Sequence, residues 1–378
     1  MRKILLLTII IALFGQTNYS QQPENIKHYI VADETGKFFG WPANNGVWSW
    51  GNEILVGMTK TDFAETSSHN IVDGAPLLSV LARSTDGGKT WVVFDPENYV
   101  GDGGTKTELT EPINFMHDGF ALRVSGDTYH GNTDKGGRFF YSYDKGATWN
   151  GPFSLGNIAD DPRFKGYILT PRTDYIVLNE KECMIFITSR VDGTGLTDKI
   201  SVIKTSDGGL TFELLSPWVV PCSDPHRAAM PNTVRVAEDE YVMAVRRRVV
   251  PDRNTCWIDC YGSKDGGKTW EFLSKIGNTG GHNGNPPALA KLKDGRLCAV
   301  YGNRDKEKIL GRYSSNNGKT WGEEFVVRDG FFTKENGDLK DLGYCRLVQN
   351  ADGDLVAIYY WASPENTQQH IAASIWRP

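Results

Sequence analysis

The sequence lacks a second long apolar run, a block of one charge sign and a low-complexity linker. Its one long apolar run, residues 4–14, is too short to span a bilayer, so we expect no membrane span. A net charge of −5 gives no support to nucleic-acid binding. No metal-ligand spacing is present, so we expect neither a metal nor a cofactor. The unbroken chain therefore predicts one globular domain.

The beginning of the chain has the build of a secretory signal peptide. Arg2 and Lys3 precede the apolar run, and small or polar residues follow it as far as Gln21. We expect a signal peptide over residues 1–20, a mature domain over residues 21–378, and a periplasmic or secreted protein. The absence of cysteine near Ser20 argues against a lipid anchor.

Cysteine is scarce, with six residues in the chain. An even number in an exported protein permits disulfides but does not fix their pairing. Cys256 and Cys260 fall in one predicted strand, roughly 13 Å apart, which is too far for a bridge unless the chain bends. Cys183 and Cys298 lie in apolar strand runs and are predicted to be core thiols.

One octapeptide recurs through the chain. It stands at residues 84–91, 142–149, 205–212, 263–270 and 314–321, and the copy at 263 reads S-K-D-G-G-K-T-W. The first residues are 58, 63, 58 and 51 positions apart, which is the length of one small antiparallel sheet with its loops. Asp or Asn with Gly suits a tight turn, and Thr with an aromatic residue suits the start of a strand.

Five such octapeptides in phase resemble the Asp-box repeats of the sialidase-like β-propellers. The resemblance implies an all-β propeller, and it places the octapeptides on the face opposite the active site. It is a strong signal for the fold and a weak one for the activity.

Six blades can be counted from the strands that precede the octapeptides. The first strands or strand pairs begin at residues 46, 120, 174, 232 and 287, and a sixth pair occupies 345–349 and 355–361. The sixth group continues over 370–376 but has no octapeptide and no outer strand. The segment Lys27–Ala32 is predicted to supply that strand and to close a six-bladed β-propeller.

Residues before each first strand and after each second strand should emerge on the face opposite the octapeptides. This group is rich in histidine and arginine although the chain is acidic overall, which indicates an anionic ligand. The candidates for acid and base roles are His117, His226 and Tyr344. The candidates for substrate binding are Arg190, Arg227, Arg304, Arg346, Asp118, Asn232 and His282. Arg246 to Arg248 and His130 are weaker candidates, because surface roles explain them as well.

A sialidase would use three arginines to clamp a carboxylate, a Tyr paired with Glu as nucleophile and an Asp as acid/base, as the resemblance implies. Some of these sialidase roles could be taken by Tyr344, Arg227, Arg304 and Arg346. The first arginine of that family lies near the start of blade 1, where residues 38–45 hold no Arg. No Arg occurs anywhere from residue 4 to residue 82. The absence of this first arginine argues against true sialidase activity.

The gathered His, Tyr and Arg residues instead resemble, more loosely, the sites of propeller polysaccharide lyases that attack ulvan and related acidic glycans. We expect elimination at a non-reducing-end uronate, with Arg227 and Arg346 on the carboxylate and with His117, His226 and Tyr344 sharing the base and acid roles. The product would be a 4,5-unsaturated uronate, from either a dehydratase or a lyase.

Two alternatives remain open from the sequence. A glycoside hydrolase, of the exo-sialidase type or with two carboxylates, would draw its acids from Asp118, Asp174, Asp341 and Glu111. A carbohydrate-binding propeller without catalysis would explain Trp41, Trp48 and Trp361 but not the histidines. The sugar, its linkage, the leaving group, calcium binding and the oligomeric state are left open.

Overall fold

The computed structural model describes residues 23–99, 104–126, 136–191, 198–333 and 340–378. In this part of the chain the strands form six antiparallel sheets, the blades of a β-propeller. The predicted all-β, six-bladed fold is confirmed. The predicted signal peptide and His130 lie outside the described residues. No helix in the described ranges is long and apolar enough to cross a membrane.

The strands follow one another blade by blade. The first strand, β1 (Lys27–Ala32), belongs to the last blade. Blade 1 contains β2 (Lys37–Gly40), the one-turn helix α1 (Pro42–Asn45), β3 (Gly46–Trp50), β4 (Glu53–Asp62), β5 (Leu78–Ser84) and β6 (Val92–Phe94). Blade 2 contains β7 (Ala121–Ser125), β8 (Arg138–Ser142) and β9 (Asn150–Ser154). Two short 3-10 turns, Gly156–Asp160 and Pro162–Phe164, lead into blade 3.

Blades 3 to 6 complete the ring. Blade 3 contains β10 (Tyr167–Leu169), β11 (Tyr175–Val177), β12 (Cys183–Val191), β13 (Lys199–Thr205) and β14 (Glu213–Ser216). Blade 4 contains β15 (Arg227–Ala237), β16 (Glu240–Arg248), β17 (Cys256–Ser263) and β18 (Glu271–Asn278). Blade 5 contains β19 (Ala288–Lys291), β20 (Leu297–Asn303), β21 (Lys308–Ser314) and β22 (Phe325–Arg328). Blade 6 contains β23 (Gly343–Gln349), β24 (Leu355–Ser363) and β25 (Asn366–Trp376), followed by β1.

The N-terminal strand closes the ring as predicted. β1 pairs antiparallel with β25, and Lys27 lies opposite Ile375. Pairing the first described strand with the last covers the open edge of blade 6 and ties the two ends of the domain together.

Each octapeptide is a turn between the last two strands of its blade. In the first copy, Asp86 Oδ1 accepts the N–H of Thr90 at 2.9 Å and Asp86 Oδ2 accepts its hydroxyl at 2.7 Å. Ser84 Oγ accepts the N–H of Gly88, whose φ of 98° favours glycine. Burial alone would raise the pKa of Asp86, but the N–H and hydroxyl of Thr90 lower it to about 2. All five turns lie at one end of the propeller, which we call the octapeptide face.

The blades pack on one another through their central strands. Between blades 4 and 5, Val242 and Ala244 of β16 pack with Cys260 of β17 and with Leu297 and Ala299 of β20. All six cysteines are unpaired. The prediction that Cys183 and Cys298 are core thiols is confirmed, and burial raises the pKa of both.

The innermost strands are irregular at mid-length. Helix α1 separates β2 from β3, and the pairing register shifts between Ala229 and Asn232 of β15 and between Gly343 and Arg346 of β23. At these three breaks Trp41, Met230 and Tyr344 adopt φ of 55°, 50° and 48°. A positive φ costs a bulky residue roughly 1–3 kcal/mol, and residues with this backbone conformation are concentrated at functional sites. The three side chains pack in one cluster, so the irregularities focus on a single region.

Candidate active site

Four arginines converge at the end of the propeller opposite the octapeptide face. Arg227 begins β15, Arg246 and Arg248 end β16, and Arg304 follows β20. We call these four residues the arginine cluster. They are all buried, and all four act electrostatically on the thiol of Cys256, which begins β17. Buried cations without an equal number of anions make this end of the molecule suited to an anionic ligand.

Arg246 links the cluster to Tyr344. Its Nη2 donates to the carbonyl oxygens of Asn283 at 2.8 Å and Gly284 at 3.1 Å, and its Nη1 donates to Tyr344 Oη at 3.3 Å. The Arg246 guanidinium also lies 5.5 Å from the centroid of the Tyr344 ring. Because Tyr344 Oη accepts from Arg246, its own O–H can be donated to a ligand.

Arg248 and Arg304 carry N–H groups that lack acceptors. Arg248 Nη1 donates to Asn283 Oδ1, but its Nε and Nη2 are buried without a hydrogen-bond partner among the described residues. Arg304 Nε is also buried without a hydrogen-bond partner in the part of the chain that the structure describes. Burial, together with the charges of Arg227 and Arg246, lowers the pKa of Arg248 to about 10. Each buried N–H without an acceptor costs about 1–3 kcal/mol, which a bound anion would offset.

Arg227 is held by a buried carboxylate. Its Nε lies 2.6 Å from Asp198 Oδ2, and Arg190 Nε lies 3.0 Å from Asp198 Oδ1. Burial alone would raise the pKa of Asp198, but the two guanidinium groups hold it below its ordinary value. Arg190 and Arg227 were predicted to bind substrate. The structure places both at this end of the molecule, with Asp198 fixing their orientation.

Arg304 belongs to a second buried network. Its Nη1 donates to the carbonyl oxygen of His282, and its Nη2 donates to Tyr360 Oη at 3.3 Å. Tyr360 Oη in turn donates to Asp341 Oδ1 at 2.5 Å, and His69 Nδ1 lies 2.9 Å from the same oxygen. Burial and the charge of Asp341 raise the pKa of Tyr360 well above its usual range.

The predicted placement of His117 and Asp118 is wrong. β7, predicted as the first strand of blade 2, begins opposite Ser142 at the start of an octapeptide and runs away from the octapeptide face. The chain just before β7 therefore lies on that face. The His117 ring lies 4.5 Å from the ring of Tyr143 inside the octapeptide, and Gly119 accepts the N–H of Lys145. His117 and Asp118 are thus at the opposite end from the arginine cluster.

Arg346, predicted to hold a substrate carboxylate, lies inside the ring, where its side chain bonds to neighbouring blades. Its Nε, like that of Arg304, is buried without a hydrogen-bond partner among the described residues. Its Nη2 donates to the carbonyl oxygens of Ala43 at 2.7 Å and Thr173 at 2.9 Å, which ties blade 6 to blades 1 and 3. Burial lowers the pKa of Arg346 to about 10. Its side chain lines a central cavity of about 310 Å³, together with Asp174 and Asn232.

Asn232 also has a structural role. Its Nδ2 donates to Asp174 Oδ1 at 3.3 Å, and its Oδ1 accepts the N–H of Leu289 at 2.7 Å. The side chain therefore connects blades 3, 4 and 5 around the central cavity, away from Tyr344.

His226 lies at the rim between blades 3 and 4. Its Nδ1 is 3.2 Å from Asp224 Oδ1, and its ring meets the edge of Trp257 at 5.4 Å. Asp224 also binds Arg247, which points to the other side of β16 from Arg246. His282 has an exposed side chain, and it contributes its backbone carbonyl to Arg304. Neither histidine ring joins Tyr344.

Sequence reasoning missed three residues of these networks, namely His69, Asp198 and Tyr360. Asp198 comes directly before β13, His69 lies in the connection between β4 and β5, and Tyr360 stands in a run of buried residues in β24. Their sequence contexts carry no chemical signature. For Asp198 and His69, the position next to a strand end was the sequence signal that could have placed them on this face.

These features define a six-bladed β-propeller of the sialidase-like type, with a charged, strained site at the end opposite its Asp-box turns. The model of the BNR repeat-like domain matches residues 122–357, and the chain belongs to that family. No curated protein sequence matches the chain.

Several solved structures share the fold. A protein of unknown function from Dyadobacter fermentans is 19% identical, with 93% of this chain and 99% of that chain covered and a TM-score of 0.67. An α-L-arabinofuranosidase from Fusarium graminearum is 15% identical over 93% and 97% of the two chains, with a TM-score of 0.56. A Hadza microbial sialidase is 13% identical over 90% and 66%, with a TM-score of 0.55. At these identities the similarity establishes the fold alone.

Proposed function

We propose that the protein is a carbohydrate-active enzyme that binds an anionic sugar at the non-reducing end of an oligosaccharide. The observation that carries this proposal is the arginine cluster, whose buried N–H groups on Arg248 and Arg304 lack acceptors. A sugar carboxylate would supply those acceptors and neutralise part of the buried positive charge. The carbohydrate activities of the α-L-arabinofuranosidase and the sialidase that share the fold agree with a glycan substrate.

The proposed reaction is β-elimination at a uronate. Binding of the carboxylate by the arginine cluster makes the neighbouring C5–H more acidic, because charge that develops on the carboxylate is stabilised. A base takes the C5 proton, the C4=C5 double bond forms, and the C4–O bond breaks with its electron pair leaving on oxygen. Tyr344 donates its phenolic proton to that oxygen. The leaving group is water or a sugar alcohol.

The state of the nearby carboxylates supports elimination over a two-carboxylate hydrolysis. Asp198 is bound by two arginines, and Asp341 accepts hydrogen bonds from Tyr360 and His69. Both are buried. A glycosidase needs a nucleophile or a base that can reach the anomeric carbon or its water. Arginines bind both oxygens of Asp198. Tyr360 and His69 engage Oδ1 of Asp341, and its Oδ2 is buried without a partner among the described residues.

An exo-acting glycoside hydrolase is the second candidate function. The specific observation in its favour is the contact between Tyr344 and Arg246, because a tyrosine beside a guanidinium could serve as a nucleophile. The connection between β2 and β3 of blade 1 carries Trp41 and Asn45 and no arginine, which leaves a sialidase clamp incomplete.

A product assay separates these functions. The purified protein is incubated with oligosaccharides that end in a uronate, and with matched oligosaccharides that end in the corresponding neutral sugar. We expect a product that absorbs in the far ultraviolet, from uronate substrates alone. A mass lower by one water identifies a dehydratase, and a shortened saccharide plus an unsaturated uronate identifies a lyase. Cleavage without an unsaturated product would support the hydrolase, and binding without turnover would support a carbohydrate-binding propeller.

We also propose that the protein is exported to the periplasm or the medium. The support is the charged and apolar start of the sequence, residues 2–14. Cell fractionation and N-terminal sequencing of the mature protein test it. A cytoplasmic protein that retains residues 1–20 would contradict it.

A further inference from the structure

His69 lies in the connection between β4 and β5, and hydrogen bonds hold this connection in place. Phe63 bridges Ile71, and Thr66 Oγ1 donates to the carbonyl oxygen of His69 at 2.7 Å. The neighbouring Asn70 is buried, and its Nδ2 donates to Gln369 Oε1 of β25 at 3.0 Å. The histidine is therefore presented from a fixed loop at the end of the molecule that carries the arginine cluster.

The His69 ring is oriented by a buried carboxylate. Its Nδ1 lies 2.9 Å from Asp341 Oδ1, and its ring meets Trp41 edge-on at 5.0 Å. The Asp341 side chain is 2% exposed, whereas the His69 side chain is 37% exposed. An ionised Asp341 accepts a hydrogen from Nδ1, which leaves the lone pair on Nε2 available to take a proton.

This pair adjoins the proposed acid and the arginine cluster. Tyr360, which donates to the same oxygen of Asp341, packs its ring 5.9 Å from the ring of Tyr344. Arg304 Nη2 lies 3.8 Å from Asp341 Oδ1. His69, Tyr344 and an arginine of the cluster thus surround one buried carboxylate and its tyrosine.

We propose that His69 is the general base of the reaction and that Asp341 is its positioning residue. This rests on the proposed uronate elimination. His69 Nε2 takes the C5 proton and becomes an imidazolium, and the C–H electron pair forms the C4=C5 bond. The C4–O pair leaves with oxygen, which receives the proton of Tyr344. Release of product returns a proton from imidazolium to Tyr344 through solvent, so protons and electrons balance.

The other histidines near charged groups do not offer this arrangement. His117 is on the octapeptide face. His226 is paired with Asp224, whose side chain is 26% exposed, so solvent competes for that contact. A carboxylate fixed in a dry site orients an imidazole more strictly than one at the surface.

His69→Ala is compared with His117→Ala, which removes a histidine from the opposite face. We expect His69→Ala to lower kcat by about 10²–10⁴-fold, as is typical for a lost base, and His117→Ala to leave kcat within about twofold. Imidazole added to the buffer should restore part of the turnover of His69→Ala alone. If the wild type is active and His69→Ala turns over as fast as His117→Ala, the proposal is overturned.

Asp341→Asn tests the positioning role with a readout that does not depend on turnover. Nitrogen NMR of the His69 ring should show the proton on Nδ1 in the wild type and a loss of this single tautomer in Asp341→Asn, with circular dichroism confirming the fold. A wild-type proton on Nε2 would overturn the assignment. If the wild type releases only hydrolysis products, the uronate elimination is wrong. Loss of that activity in His69→Ala would then still identify His69 as an acid or base.

Discussion

At the scale of single residues, two buried aspartates show how the partners of a carboxylate decide its ionisation. Asp198 is bound by Arg190 and Arg227, and these charges hold its pKa below the ordinary value although burial opposes them. Asp174 is equally buried, but its hydrogen bonds come from the neutral groups of Thr233 and Asn232, and the nearby charge of Arg346 does not offset its burial. Burial therefore raises the pKa of Asp174 to about 7. An aspartate is thus held as an anion at position 198 and titrates near neutral pH at position 174.

The raised pKa of Asp174 predicts a pH-dependent stability. The folded state holds a proton on Asp174 up to about pH 7, whereas the unfolded chain releases it near the ordinary value of 3.8. The stabilising contribution is therefore complete below that ordinary value and is lost as pH rises toward 7. Asp174→Asn keeps the hydrogen bonds without the charge, so its melting temperature should fall less between pH 5 and pH 8 than that of the wild type. Asp118→Asn, at an exposed position, should show the same fall in melting temperature between pH 5 and pH 8 as the wild type.

Arg246 predicts a second effect at this scale. Lysine keeps the charge but cannot reach the Asn283 and Gly284 carbonyls and Tyr344 Oη together. We expect Arg246→Lys to weaken binding of glucuronate by roughly tenfold, which corresponds to about 1.4 kcal/mol. Titration calorimetry measures this, with the exposed Arg235→Lys as control. Equal affinities in the two variants would remove Arg246 from the binding site.

At the scale of elements, the octapeptide turn is defined by a side chain that replaces backbone partners. Asp265 Oδ1 accepts the N–H of Thr269, and Asp265 Oδ2 accepts its hydroxyl. The fifth copy has Asn316 at this position, which accepts the N–H of Thr320 and donates to its hydroxyl. An amide therefore satisfies the same turn.

This comparison predicts the result of two substitutions at one position. Asp265→Ala leaves the Thr269 N–H without its acceptor and should lower the free energy of unfolding by about 1 kcal/mol, as for a lost helix cap. Asp265→Asn should lower it by less than about 0.5 kcal/mol, since surface substitutions that keep their contacts have small effects. Denaturant titration measures both. Neither should alter kcat, because the turn is on the octapeptide face, and a change in kcat would contradict the separation of the two faces.

The breaks in the innermost strands are the elements that form the site. A regular strand would alternate its side chains between the two sides of the blade. The register shifts in β15 and β23 instead place Met230 and Tyr344 in one cluster with Trp41. The candidate site of this propeller is thus made by local departures from the regular strands that the octapeptides connect.

At the scale of the whole molecule, closure of the ring depends on a short strand at the beginning of the domain. Val31 of β1 is 3% exposed, and its neighbour Ile30 is 52% exposed. Val31 lies at a register shift in the pairing of β1 with β25, and its side chain belongs to a core cluster, whereas that of its sequence neighbour Ile30 is largely in water.

These two positions provide a matched test of closure. Val31→Asp loses apolar burial and places a charge in the core, so we expect the free energy of unfolding to fall by about 3 kcal/mol or more. Ile30→Asp should change it by less than about 1 kcal/mol, because the side chain is already largely in water. Thermal unfolding followed by circular dichroism compares them. Equal melting temperatures would show that β1 does not hold the ring closed.

The fold and its closure were largely predictable from the sequence, because the octapeptide is a local motif and its spacing counts the blades. The unpaired segment Lys27–Ala32 completed the sixth blade by the same reasoning. The candidate site was predictable in part, since the strand ends predicted that Arg190, Arg227, Arg304 and Tyr344 lie together at the end opposite the octapeptide face, where the structure places them. The direction of β7 was not predictable, because the strand count before the second octapeptide differs from the other blades, and His117 was misplaced with it.

The sequence by itself therefore determined the repeating unit, the number of blades and the end at which chemistry should lie. Only the tertiary structure decided which residues meet there. His69 and Asp341 are separated by 272 positions and come from different blades, so their contact depends on closure of the ring. Arg346 has the same charge as Arg246, but it follows the register shift of β23, and its side chain lines the central cavity rather than joining the arginine cluster. Long-range packing sets those directions, and a local pattern does not contain them.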